Sequence, residues 1–335
     1  MQYAIGIELG EGRLRIAAVD RAGEVFSKRS VNLPPRDAMT PELPEYVADL
    51  ITESELEAGF SARWLGITAP GRLIPTFPGR FSHLPPRLQP AEEINWLRSP
   101  FARDTHRTAL LNCAQAALYA EVWNGAAKNR DGNMILLRVG HWLQAALFCH
   151  GSLLQGSNNL AGALDHLYIP VDQENAGAEG SNHSHAEQAV SPPVALDCQS
   201  ALSENSLAGA DHDYRTYRAL WEAAGNGEEE ARRVWHRQVH RLASLLAGLS
   251  AFEDPDILLV DGPITGARDL LLKPLHEKLR ALLEQRERPC PTLVTTATGA
   301  YGASVGAARF AMLHARPPHG GRPGKPAKQS APVEH

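Results

Sequence analysis

Cysteine is sparse in this chain. The four present, Cys113, Cys149, Cys198 and Cys290, lie far apart along 335 residues, which argues against a disulfide framework. No stretch approaches the roughly 20 consecutive apolar residues that a membrane helix needs. A strong excess of charge is missing too. The formal net charge is −5, so neither nucleic acid nor a membrane surface is a default partner. The N-terminus lacks a basic-then-apolar leader, and Glu8 interrupts its short apolar run. These absences predict a soluble, cytoplasmic protein. Its length allows a substantial core and favours two domains.

The hydrophobic pattern supplies the elements. Tyr3–Ile7 and Leu14–Val19 read as short strands joined by Gly10-Glu11-Gly12, and Glu24–Ser27 as a third strand after the turn Asp20-Arg21-Ala22-Gly23. Leu43, Val47, Leu50 and Ile51 share one face of a helix expected over Pro44–Glu57. Trp64–Thr68 and Thr108–Asn112 are strand-like and Ala114–Trp123 is helix-like, which puts Cys113 at a strand-to-helix junction. Met134–Val139 and Ala145–His150 are two more strands, with Gly140–Gln144 between them. A strong helix is expected over Glu228–Leu249, striped by Trp235, Val239, Leu242, Leu245, Leu246 and Leu249. Ile257–Val260 and Leu293–Thr296 read as strands, and Ala267–Gln285 and Tyr301–His314 as helices. A three-strand meander, then alternating helix and strand, then a weaker repeat of the pattern, predicts two α/β lobes. Their expected bounds are 1–122 and 123–314, with a flexible insertion at 172–194 and a disordered tail at 315–335.

The segment Leu111-Asn112-Cys113-Ala114-Gln115-Ala116-Ala117-Leu118-Tyr119-Ala120-Glu121 resembles the E-N-D-A-N-A-A-A-x-x-E run of the ROK (repressor, open reading frame, kinase) family of sugar kinases and sugar-responsive regulators. Ile5-Gly6-Ile7-Glu8-Leu9-Gly10-Glu11-Gly12 looks like the opening I-G-I-D-L-G-G-T of that family. Gly66-Ile67-Thr68-Ala69-Pro70-Gly71 is similar to its G-I-x-x-P-G, Gly125–Asp131 to its G-A-A-R-G-R-D, and Gly302–Ala308 to its closing G-A-x-x-G-A-A. The order and spacing of these runs cover roughly residues 3–314. The resemblance implies the actin-like ATPase (ribonuclease H-like) fold, an α/β architecture of two lobes with a central cleft.

It also implies site residues, and the departures fall on the chemistry. Cys113 stands where the family has its aspartate base, and a neutral thiol of ordinary pKa about 8.5 is no substitute for a carboxylate. The phosphate turn G-T-G-I-G-A-G reads Gly140-His141-Trp142-Leu143-Gln144-Ala145-Ala146, so Trp142 and Gln144 are expected to fill space kept open for phosphate. Glu11 puts a carboxylate into the first phosphate loop, Gly12 removes a hydroxyl, and Glu8 replaces an aspartate expected to contact Mg²⁺. By the resemblance, the nucleotide side of the cleft falls to Glu8, Gly10, Gly12, Gly140 and Gly262, and the sugar side to Asn112, Gly71, His166 and His83. The Glu of the sugar-binding E-x-G-H motif is here Ala163. The family's zinc motif is absent, so structural zinc is expected to be lost and no metal site is assigned. His183 and His185, with His166 and Cys198, have the donor types of a four-ligand site, but polar residues of a flexible loop explain them better.

The resemblance with these changes predicts a pseudokinase: a non-catalytic carbohydrate-binding or regulatory protein, without a DNA-binding domain before its first strand and without a cofactor. Its expected partners are a small sugar-like ligand, a protein, and a second copy of the chain, since the family commonly dimerises. The alternative is an ATP-dependent sugar kinase, phosphorylating a hexose or N-acetylhexosamine from Mg-ATP through an altered active site.

Overall fold

A computed structural model describes residues 3–10, 12–74, 76–102, 107–140, 142–164 and 212–315. Two five-stranded sheets share one topology. The first is built from β1 (Tyr3–Leu9), β2 (Arg13–Asp20), β3 (Val25–Asn32), β4 (Trp64–Ala69) and β7 (Arg107–Asn112), in the order β3-β2-β1-β4-β7. The second uses β8 (Met134–Val139), β9 (Leu143–Cys149), β10 (Ser152–Leu153), β11 (Ile257–Asp261) and β12 (Thr292–Thr295), in the order β10-β9-β8-β11-β12. Each sheet is an antiparallel three-strand meander followed by two parallel strands, so β1 corresponds to β8 and β4 to β11. A two-stranded hairpin, β5 (Arg72–Leu73) and β6 (Phe81–Ser82), stands beside the first sheet.

Strand alternation decides which side chains face which layer. In β1, Ile5, Ile7 and Leu9 enter the core shared with α1 (Met39–Ala58), whose Leu43, Val47, Leu50 and Ile51 form the expected stripe. Ala4, Gly6 and Glu8 therefore face the other way. There Ala4 packs among residues of α2 (Cys113–Asn124) and α6 (Gly302–His314). In β8, Ile135, Leu137 and Val139 meet a second core with α3 (His212–Asn226), α4 (Glu229–Glu253) and α5 (Asp269–Glu284). Met134 and Leu136 turn instead towards Ala114, Ala117 and Leu118 of α2. Helix α2 is thus packed between the two sheets, and the inward-facing Glu8 and Arg138 occupy matching positions on them.

Helix α6 lies unusually close to the first sheet because small residues face each other. A Cβ added at Gly6 would stand 1.7 Å from the Ser304 carbonyl oxygen, one at Gly66 2.0 Å from that of Ala307, and one at Gly306 1.7 Å from that of Ala116. Residues 302–314, expected in the C-terminal lobe, consequently rest on the N-terminal sheet. The expected boundary at 122/123 falls inside α2. Sequence pattern missed α3 and the β5–β6 hairpin, and it placed the start of α1 too late. Residues 172–194 and 316–335, expected to be a flexible insertion and part of a disordered tail, lie outside the described residues. Among the described residues no helix is long and apolar enough to cross a membrane.

Candidate functional site

The parallel strands β4, β7 and β11 deliver their carboxyl ends to one region between the lobes, where open α/β sheets bind ligands. Asn112 ends β7 and caps α2. Its Oδ1 accepts the backbone N–H of Gln115 at 2.8 Å, and the Gln115 side chain returns the bond to the Asn112 N–H at 3.3 Å, a reciprocal capping box. The cap commits Oδ1 and leaves Nδ2 as the polar group Asn112 can offer a ligand. Cys113 is the first helical residue and is 1 % exposed. Burial pushes its thiol up to about 12, with the nearby positive charge of Arg138 acting in the opposite direction. The group is a neutral thiol at any physiological pH, neither a base nor an activated nucleophile.

Arg138 is the centre of the arrangement, and sequence reasoning passed over it. Its Nη1 donates to Asp261 Oδ2 at 2.6 Å, within its own sheet, where the two residues are register partners. Its Nη2 donates to Glu8 Oε1 at 2.7 Å, across to the other lobe. Glu8 is 1 % exposed and has Arg15 Nη1 at 3.6 Å from its second oxygen. Asp261 Oδ1 accepts the Thr296 hydroxyl at 2.9 Å. Burial works against the guanidinium charge, but Asp261 and Glu8 outweigh it and raise the Arg138 pKa. The signal that could have found this residue was an arginine at an inward position of a strand otherwise read as core.

The remaining expected residues fall into place around this cluster. Gln144, expected to intrude on phosphate, instead donates from Nε2 to the Gly71 carbonyl at 3.2 Å and is buried, forming a second polar link between the lobes. Gly71 is packed tightly: a Cβ there would meet Ser82 O at 2.5 Å. Gly262 follows β11 with φ +98°, its α-carbon held against the Val139 carbonyl. Gly140 follows β8, and the backbone N–H of Gly10 donates to Arg13 O at 2.8 Å across the first turn. Trp142 is half-buried beside Gly140. His83 is exposed, has φ +54°, and pairs with the Ser82 hydroxyl at 3.3 Å. Glu11, His141, His166, His183, His185 and Cys198 lie outside the described residues.

A divalent cation at this place would look to Glu8 and Asp261, the carboxylates at the ends of β1 and β11. Both already hold the Arg138 guanidinium, and Glu8 lies near a second cation, Arg15. These residues do not fit a protein-bound metal. Among the described residues no group of three or more His, Cys, Asp or Glu side chains is placed to hold a metal ion.

Two sheets of repeated topology with a cleft between them make this the actin-like ATPase fold. The ROK family model matches residues 4–313, and the chain belongs to the ROK family. A glucokinase from Thermotoga maritima is 26 % identical over 292 residues, covering 82 % of this chain and 86 % of that protein. An N-acetylmannosamine kinase from Shigella boydii is 26 % identical over 265 residues, covering 78 % and 82 %. The crystal structure of a ROK family glucokinase from Streptomyces griseus in complex with glucose and AMPPNP superposes with a TM-score of 0.68 at 18 % identity, covering 93 % of this chain and all of that one.

These relatives correct the expectation of a non-catalytic carbohydrate-binding or regulatory protein. Proteins that match this chain over about four-fifths of its length are kinases of glucose and N-acetylmannosamine. The pseudokinase reading rests on Cys113 in the base position and on Trp142 and Gln144 in the phosphate turn. One of its two supposed obstructions, Gln144, is turned towards Gly71 instead.

Proposed function

We propose that this protein is an ATP-dependent sugar kinase, transferring a phosphoryl group to a hydroxyl of a hexose or N-acetylhexosamine in the cleft between its lobes. The observation that carries the reading is likeness along the whole chain to sugar kinases. Asn112 Nδ2 and the loop at Gly71 are assigned to the sugar, with His83 at its rim and His166 on the same side. The turns at Gly10, Gly12, Gly140 and Gly262, with Glu8 behind them, are assigned to the nucleotide. A homodimer belongs to the same reading, and sedimentation analysis checks it.

The chemistry tolerates the missing carboxylate at a cost in rate. Phosphoryl transfer passes through a loose transition state in which positioning and charge stabilisation do most of the catalysis. The attacking hydroxyl needs little deprotonation before the bond to phosphorus forms, so its proton can leave late, to water or to the phosphate itself. Losing a general base lowers the rate on the order of 10²–10⁴-fold. The protein is therefore a slow kinase in which Cys113 is inert.

The test is ADP release and sugar-phosphate formation, followed by phosphorus NMR, with a panel of hexoses and N-acetylhexosamines. Wild type is expected to give slow turnover with at least one sugar. Cys113→Asp, which restores a carboxylate beside Arg138, is expected to raise kcat on the order of 10²–10⁴-fold. Absence of phosphoryl transfer by both proteins to every sugar of the panel overturns the proposal.

A further inference from the structure

The pairing of Arg138 has a counterpart in the charges around it. Glu8 and Asp261 each carry a negative charge, and Arg138 and Arg15 each carry a positive one, so the cluster is neutral as it stands. A carboxylate pair left to itself at the ends of two strands is the arrangement that holds a hard divalent cation through oxygen ligands. Here one oxygen of each carboxylate is taken by a different nitrogen of one guanidinium, at 2.6 and 2.7 Å. The guanidinium is planar and permanently charged, and it carries five N–H donors, of which these contacts use two. Its side chain remains 21 % exposed, while that of Glu8 is 1 % exposed. The surface this cluster offers to the cleft is therefore more cation than carboxylate.

We propose that Arg138 is the resident counter-cation of the Glu8–Asp261 pair, standing in the place of a protein-bound divalent metal, and that it is the positive group this site presents to a phosphate. The carboxylates hold no magnesium. Their function is to fix the guanidinium in one orientation between the lobes. That Arg138 faces phosphate rests on the kinase reading; that it displaces a metal does not.

The test uses Mn²⁺ alone, without nucleotide or sugar, so its outcome is independent of whether the protein phosphorylates anything. Electron spin resonance counts free and bound Mn²⁺ on the full chain. Wild type is expected to show no specific site, whereas Arg138→Met leaves Glu8 and Asp261 facing each other and gains one. Removing the like charge of the guanidinium from beside the ion is expected to tighten binding at least about tenfold. Because two unpaired carboxylates can unfold the variant, its melting temperature is read with and without Mn²⁺; a rise on adding the ion supports the same conclusion. The triple variant Arg138→Met, Glu8→Gln, Asp261→Asn is expected to fold without Mn²⁺ and to bind none. Specific Mn²⁺ binding by wild type that Glu8→Gln abolishes overturns the proposal. So does a folded Arg138→Met that gains neither binding nor melting temperature.

Discussion

Glu8 and Arg138 hold equivalent places in the two sheets, each the penultimate residue of the first strand of its lobe, and their side chains meet at 2.7 Å across the cleft. The duplicated topology carries both inward, because alternation sends Ile5, Ile7 and Leu9 to one face and Glu8 to the other, and treats β8 in the same way. A pair this buried is strongly destabilising to break, because the surviving partner is left charged without compensation. Arg138→Met is therefore expected to cost about 3–5 kcal/mol in urea unfolding. Glu8→Gln measured alone and combined with it is expected to show a coupling energy of about 0.5–3 kcal/mol. A coupling of zero would mean that the two groups do not hold the lobes together.

The architecture was legible in the sequence and this link was not, for a physical reason. Strand periods, the α4 stripe and the Asn112–Cys113 junction all depend on local alternation, which survives in a single chain. The partners of Arg138 are 123 and 130 residues away, and nothing local marks a strand arginine as paired. The role of Gln144 is hidden for the same reason: its own turn says nothing of its partner, Gly71, which lies in the other lobe. Helix α3 went unread because the long segment before it carries no apolar period to announce it. Cys113, by contrast, is marked in the sequence by its place at a strand-to-helix junction, and the structure buries it there.

The Cys113 thiol makes stability depend on pH in a definite direction. Burial is the chief cause that raises its pKa from the ordinary thiol value to about 12 in the fold. Between those values the folded state holds a proton that the unfolded state has released, so stability falls as pH rises through the window. Cys149, whose thiol meets the Glu253 carboxylate at 3.0 Å, is also raised to about 12, so it acts in the same direction. The melting temperature of Cys113→Ala is expected to decline less steeply above pH 9 than that of wild type, and that of Cys113→Ala/Cys149→Ala less steeply still. Equal slopes in all three proteins would remove the cysteines from the account. Below pH 9, stability contributed by these protonated thiols is complete and the three curves should run parallel.

Glycines at the α6 contact and glycines elsewhere should respond in opposite ways to the same substitution. Gly66→Ala and Gly306→Ala each drive a methyl group into a carbonyl of packed backbone, which has no rotamer by which to escape. Each is expected to lose about 3 kcal/mol or more. Gly248, exposed within α4, has nothing within 4 Å of an added Cβ. Gly248→Ala is expected to gain about 0.4–1 kcal/mol, because alanine restricts the unfolded chain and suits a helix. Thermal unfolding of the three variants decides it, and a stable Gly306→Ala would show that α6 does not rest on α2 as described.

Glu121 extends the same logic from shape to charge. It is fully buried near the C-terminal end of α2, and no basic side chain pairs with it among the described ion pairs. Backbone donors satisfy it instead: Ala126 N at 2.7 Å, Ala297 N at 3.0 Å and Thr298 N at 2.8 Å, with the Thr298 hydroxyl at 2.5 Å. Each hydrogen bond to a charged acceptor is worth about 1.5–3 kcal/mol. Through it α2, which begins at Cys113, holds the segment between β12 and α6. Glu121→Gln turns an N–H₂ group towards donors that have no other acceptor, and it is expected to cost about 3 kcal/mol. Hydrogen exchange at the Ala297 and Thr298 amides is the decisive reading. Accelerated exchange there, with β1 and β8 still protected, is the signature of this link, whereas unchanged exchange would mean that the segment is held by packing alone.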